Sequence, residues 1–144
     1  MSELFTLRAA EERDVPYLNN FTYAEGMDYL PNLDGVTVAV NSENEPVGFL
    51  RLVQGQELGV AYVNPVVTYK AWRGYGVGKA LMVDAETKCN ELRFVARGGA
   101  VAFYKHIGYE NCSWELIEDG VSEDCANCTL VPECKPQPMR KIIK

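Results

Sequence analysis

Two hydrophobic periods, one near two residues and one near 3.6, divide this chain into elements. Leu4-Phe5-Thr6-Leu7-Arg8 reads as a short first strand. Glu11 to Pro16 then opens a helix. Its acids sit at the positive end, and Pro16 falls in the first turn, where a missing N–H costs little. Tyr17, Leu18 and Phe21 share one face of that helix. The mixed stretch Thr22 to Asp34 contains Pro31 and reads as a short helix or a loop over a sheet. Alternation resumes from Gly35 to Val40, turns at Asn41 to Glu45, and returns from Pro46 to Val53 as an antiparallel partner. Leu58 to Thr68 suits a central strand, with Pro65 implying a bulge or break in its pairing.

Beyond a glycine-rich turn, Val77, Ala80, Leu81 and Ala85 recur at helical spacing, which predicts a helix over 77–91. Leu92 to Ala96 is a strand, Gly99 to His106 a second helix stopped by Gly108, and Tyr109 to Ile117 a further strand. A loop of about 15 residues follows, longer than most connections in compact domains. Lys135 to Ile143 forms a final strand, which Pro136 and Pro138 should restrict to an edge or a bulged position. The order of elements predicts an α/β (α+β) fold, a mixed sheet covered by helices.

Length and composition narrow the class. The chain has 144 residues, enough for one core and one domain over 1–144, with 47% hydrophobic and 24% charged residues. No basic stretch leads into an apolar run at the N-terminus, and no apolar segment approaches the roughly 20 residues that span a bilayer. A cytoplasmic protein without a membrane partner is expected. The net charge of -6 argues against nucleic acid as a partner. That charge is uneven: residues 1–60 carry a net -7 and residues 61–144 a net +1, so the second part tolerates an anionic ligand.

The chemistry-bearing feature is Arg73-Gly74-Tyr75-Gly76-Val77-Gly78-Lys79, between a predicted strand and a predicted helix. Glycines let the backbone turn sharply and approach a ligand closely. The first amides of the following helix lack internal acceptors, and the helix dipole adds positive potential. An anion, such as a phosphate, is the expected guest. A tight turn without a ligand would use the same glycines. A Walker loop is excluded, because Ala80 follows Lys79, and the spacing does not give a dinucleotide fingerprint.

Arg73-x-x-Gly76-x-Gly78 resembles the Arg/Gln-x-x-Gly-x-Gly/Ala motif of the GNAT superfamily of acyl-CoA-dependent N-acyltransferases. Ala100 to Tyr109 is similar to the family's second signature, in which an aromatic-Tyr pair precedes a Gly-Phe/Tyr. The two lie in the family's order with a strand between them. The resemblance implies a central mixed, mostly antiparallel sheet of about seven strands flanked by helices. It implies acetyl-CoA as co-substrate and direct acetyl transfer to an amine of a small molecule or peptide, by a monomer or homodimer. By position it assigns the cofactor to Arg73, Gly74, Tyr75, Gly76, Val77, Gly78 and Lys79. It adds the strand end Val67-Thr68-Tyr69, where a backbone amide would polarise the thioester carbonyl. Tyr104 takes the place of the general acid.

Arg97 stands where the family commonly has Asn, and either offers a charged phosphate contact instead or faces solvent. The general base is not evident; Glu25 and Asp28 are candidates without an assigned role, and the lone histidine, His106, reads as structural. Cys125, Cys128 and Cys134 lie in the long loop at 119–134, with Cys112 on the strand before it. Together they offer four thiolates, but a second tight pair is missing, so zinc is not favoured over plain reduced thiols. Cys89 reads as core. Two other classes stay open: a non-catalytic acyl-CoA-binding or sensor domain, and a metal-binding interaction protein using the Cys loop.

Overall fold

A computed structural model describes residues 4–24, 26, 29–118 and 136–143. In chain order the elements are β1 (Thr6–Ala9), α1 (Val15–Ala24), β2 (Val36–Val40), β3 (Pro46–Gln54), β4 (Val60–Thr68), α2 (Val77–Glu86), β5 (Glu91–Ala96), α3 (Val101–His106), β6 (Glu110–Asn111) and β7 (Gln137–Ile142). The strands form one seven-stranded sheet ordered β1-β2-β3-β4-β5-β7-β6. It is mixed: β4 pairs parallel with β5, while β1–β2, β2–β3, β5–β7 and β6–β7 are antiparallel.

The chain divides into two compact units, residues 1–52 with 65–87, and residues 53–64 with 88–144. In the first, α1 follows a 3-10 turn at Glu12–Asp14, where Glu11 and Asp14 form a reciprocal capping box. Asp14 is buried, and Arg8 grips both its oxygens at 2.8 and 2.9 Å. Burial alone would raise that carboxyl, yet the Arg8 bonds and the Glu11 amide hold it below its ordinary range. Leu18 and Phe21 of α1 pack on Val36, Val38, Val40, Phe49 and Val67. Those alternate positions define one face of the sheet, as period-two patterning requires. The opposite face receives α2. A Cβ at Gly48 would lie 2.9 Å from both the Val67 carbonyl oxygen and Val77 Cγ1, so only glycine lets the helix start this close.

In the second unit, Val60, Tyr62 and Ile117 form a small core, with Val95 and Cys112 against it. Arg93 is buried on β5 and bonds Glu91, the Leu116 carbonyl at 2.9 Å and Glu57 at 3.2 Å. Burial opposes its charge, but Glu91 and Tyr62 together outweigh this and raise its pKa. The Tyr62 hydroxyl also donates to Leu116, at 2.8 Å.

Several boundaries differ from the sequence expectation. α2 ends at Glu86 rather than at residue 91, because Thr87 caps it and Cys89 turns inward. The strand expected over 109–117 is only Glu110–Asn111. Ser113 then accepts the Glu115 amide and starts a 3-10 turn, which the two bonds to Leu116 hold in place. The last strand is not at an edge: β7 lies between β5 and β6. Pro138 sits opposite Val95, and its carbonyl accepts from Cys112 on the β6 side. A residue's N and O face the same edge, so its missing N–H faces the end of the short β6 ladder and breaks no bond to β5. β4 runs on through Pro65 over nine residues, while its pairing with β5 stops at Tyr62, short of the proline. The expected Cys loop at 119–134 lies outside the described residues.

Candidate active site

The glycine loop is built by two left-handed turns. Gly74 has φ of 91° and Gly76 of 84°, conformations that L side chains rarely adopt. They place Tyr75 between two reversals, and Gly76 becomes the N-cap of α2. The first turn closes with the Ala80 amide on the Gly76 carbonyl at 3.0 Å. Among the described residues, the amides of Gly74 to Lys79 donate to no protein acceptor. A Cβ built on Gly74 or Gly76 meets nothing within 4 Å. Open space therefore lies over a row of uncommitted donors at a helix N-terminus of ten residues, which is what an anionic group needs. Val77 is buried and anchors the turn, while Arg73, Tyr75 and Lys79 are exposed.

The strand leading into the loop narrows one expectation. The Tyr69 amide donates to the Val47 carbonyl of β3 at 2.8 Å, so it is not free for a ligand. Adjacent strand residues present their amides to opposite edges, so the Thr68 N–H is directed away from β3. The parallel pairing of β4 with β5 covers only Val60 to Tyr62. Val67 is buried in the core under α1, and the Tyr69 ring stacks on Phe21 with centroids 5.5 Å apart.

In the second unit, Tyr104 lies on α3 with its ring 4.5 Å from Phe94, 5.2 Å from Phe103 and 6.2 Å from Tyr109. Burial among these rings pushes its pKa up to about 12, because a phenolate there would lose hydration. Its hydroxyl has no protein partner among the described residues. The group therefore keeps its proton through the neutral range and has a donor to offer. Phe103 is exposed, unlike the packed role its neighbour holds. Arg97 caps the turn that precedes α3 and is exposed. His106 is exposed in the last turn of α3.

Glu25, Asp28, Cys125, Cys128 and Cys134 lie outside the described residues. Among the described residues, no group of three His, Cys, Asp or Glu side chains is placed to hold a metal. Cys112 packs against the Val60–Tyr62–Ile117 core, and burial pushes its thiol above the ordinary range. No described helix is long and apolar enough to cross a membrane. Gly48 carries no signal in the sequence beyond a glycine inside a strand pattern, and Trp72, whose ring lies 5.3 Å from Tyr75, carries none.

Residues 9–123 match the acetyltransferase (GNAT) domain family. The chain belongs to the GNAT acetyltransferase family. Similar curated proteins include the peptidyl-lysine N-acetyltransferase YjaB of Escherichia coli, 34% identical over 85 residues, covering 57% of this chain and 54% of that protein. YjaB of Salmonella typhimurium is 33% identical over 95 residues, covering 64% and 61%. The matches thus span somewhat over half the length of these relatives. Among solved structures, N-acetylglutamate synthase of Neisseria gonorrhoeae, complexed with coenzyme A and N-acetyl-glutamate, shares the fold at a TM-score of 0.80 and 12% identity. That match covers all of this chain and 36% of the synthase. Ard1 of Thermoplasma volcanium does so at 0.72 and 17% identity, over 98% and 99% of the two chains. The seven-stranded mixed sheet expected from the sequence is the GNAT sheet.

Proposed function

We propose that this GNAT protein moves the acetyl group of acetyl-CoA to the side-chain amine of a lysine in a peptide or protein. The observation that carries the proposal is the row of uncommitted amides from Gly74 to Lys79 beneath open space at the start of α2. The diphosphate of coenzyme A supplies the anionic oxygens those donors and the helix dipole favour. Arg73, Lys79 and Arg97 are assigned to its phosphates as charged contacts. The two curated relatives, both acting on peptidyl-lysine by name, support the acceptor class.

In this reading a neutral amine nitrogen attacks the thioester carbonyl carbon. The N–C bond forms, the carbonyl oxygen gains charge, and the Thr68 amide is assigned to that oxygen in place of Tyr69. On collapse the C–S bond breaks, and Tyr104 gives its proton to the departing thiolate. The acetylated nitrogen loses a proton to solvent, and the Tyr104 phenolate recovers one. No covalent enzyme intermediate is required.

The test incubates purified protein with acetyl-CoA and a panel of lysine peptides and small amines, reading free thiol release and acetylated product. Turnover on lysine peptides supports the proposal. No thiol release across the panel overturns it, and tight CoA binding without turnover would instead favour a non-catalytic sensor.

A further inference from the structure

The aromatic pair beside the glycine loop is unexplained by diphosphate binding. Tyr75 stands between the two left-handed glycines, 55% exposed as a residue, and it packs on Trp72 at a tilt of 50°. Exposing a tyrosine between two glycines of this loop forgoes apolar burial that a short polar residue would not need. The space over Gly74 and Gly76, on either side of it, is open. The ligand proposed for this loop carries an adenine one ribose away from its diphosphate. A flat base at that reach can stack on an exposed ring, and the Trp72 ring, 5.3 Å away, packs against Tyr75.

The geometry points to Trp72 and Tyr75 as a stacking platform for the adenine of coenzyme A, with Tyr75 in contact and Trp72 as its support. This inference rests on the coenzyme A reading above. Stacking a base on an aromatic side chain depends on the π-face rather than on hydrogen bonds, so the ring matters and the hydroxyl does not.

Calorimetry with two probes tests this: CoA, and 4′-phosphopantetheine, which lacks the adenylate. Tyr75→Ala should weaken CoA about tenfold, or about 1.4 kcal/mol, and leave 4′-phosphopantetheine unchanged. Tyr75→Phe should bind CoA as the parent does. In a Trp114→Phe background Trp72 is the remaining tryptophan. Its emission should change on adding CoA and stay constant on adding 4′-phosphopantetheine. Equal losses for both probes in Tyr75→Ala would mean that the ring only shapes the loop, and would overturn the platform. Unchanged CoA affinity would overturn it too. Failure of the parent protein to bind CoA at all would instead remove the functional reading beneath it.

Discussion

Tyr104→Phe removes one oxygen and leaves the ring among Phe94, Phe103 and Tyr109 at the observed spacings. The lost hydroxyl has no described protein partner, so no group is left unsatisfied, and stability should change by less than about 1 kcal/mol. The chemical consequence is larger. With its pKa pushed up to about 12, the group is ionised in only about one molecule in a thousand at pH 9, so the proton is present throughout the neutral and mildly alkaline range. General acids of this kind contribute about 10²–10⁴-fold. A phenol this weak belongs near the lower end, which sets the expected fall in kcat at about a hundredfold, or about 2.7 kcal/mol of barrier. Stopped thiol-release assays give kcat, and calorimetry gives the CoA affinity, which should be unchanged. The same burial has a signature at high pH. Below pH 10 both folded and unfolded states hold the proton. Above it the unfolded tyrosine ionises first, so stability falls by up to about 2.7 kcal/mol towards pH 12, and Tyr104→Phe abolishes that component. A kcat within about threefold of the parent, or a CoA affinity that falls in step with rate, refutes the assignment.

Gly76→Val should abolish CoA binding while the fold persists with a loss of about 1–2 kcal/mol. The left-handed φ of 84° disfavours valine, and its side chain would fill the space over the loop rather than strike the protein. Thermal melting and calorimetry separate the two effects. Gly48→Ala, by contrast, presses on Val67 and Val77, and should cost about 1–3 kcal/mol in denaturant unfolding and weaken CoA by moving the start of α2. Asp14→Asn breaks the Arg8 pair and the capping box, at about 3 kcal/mol by urea unfolding at pH 7. Because the folded Asp14 pKa is lowered, its stabilisation is complete above the unfolded value near 3.9 and is lost as pH falls through the folded one. The difference between parent and variant should therefore hold from pH 5 to 8 and shrink in stronger acid.

Local chemistry made much of this protein legible before any fold was known. Alternation marked β2 and β3, helical spacing marked α2, and the glycines between β4 and α2 marked a turn with donors to offer, because these signals depend only on neighbouring residues. Long-range pairing decided the rest. Pro138 reads as an edge residue until β6 proves short enough to spare it, and Tyr69 reads as a donor until Val47 of β3 takes its amide. Gly48 carries no message until α2 crosses it at a distance no Cβ tolerates, and Tyr104 is an ordinary phenol until three rings strip its water. A sequence states what each residue can offer, but which offers are taken up depends on partners far away along the chain, and only tertiary packing brings those together.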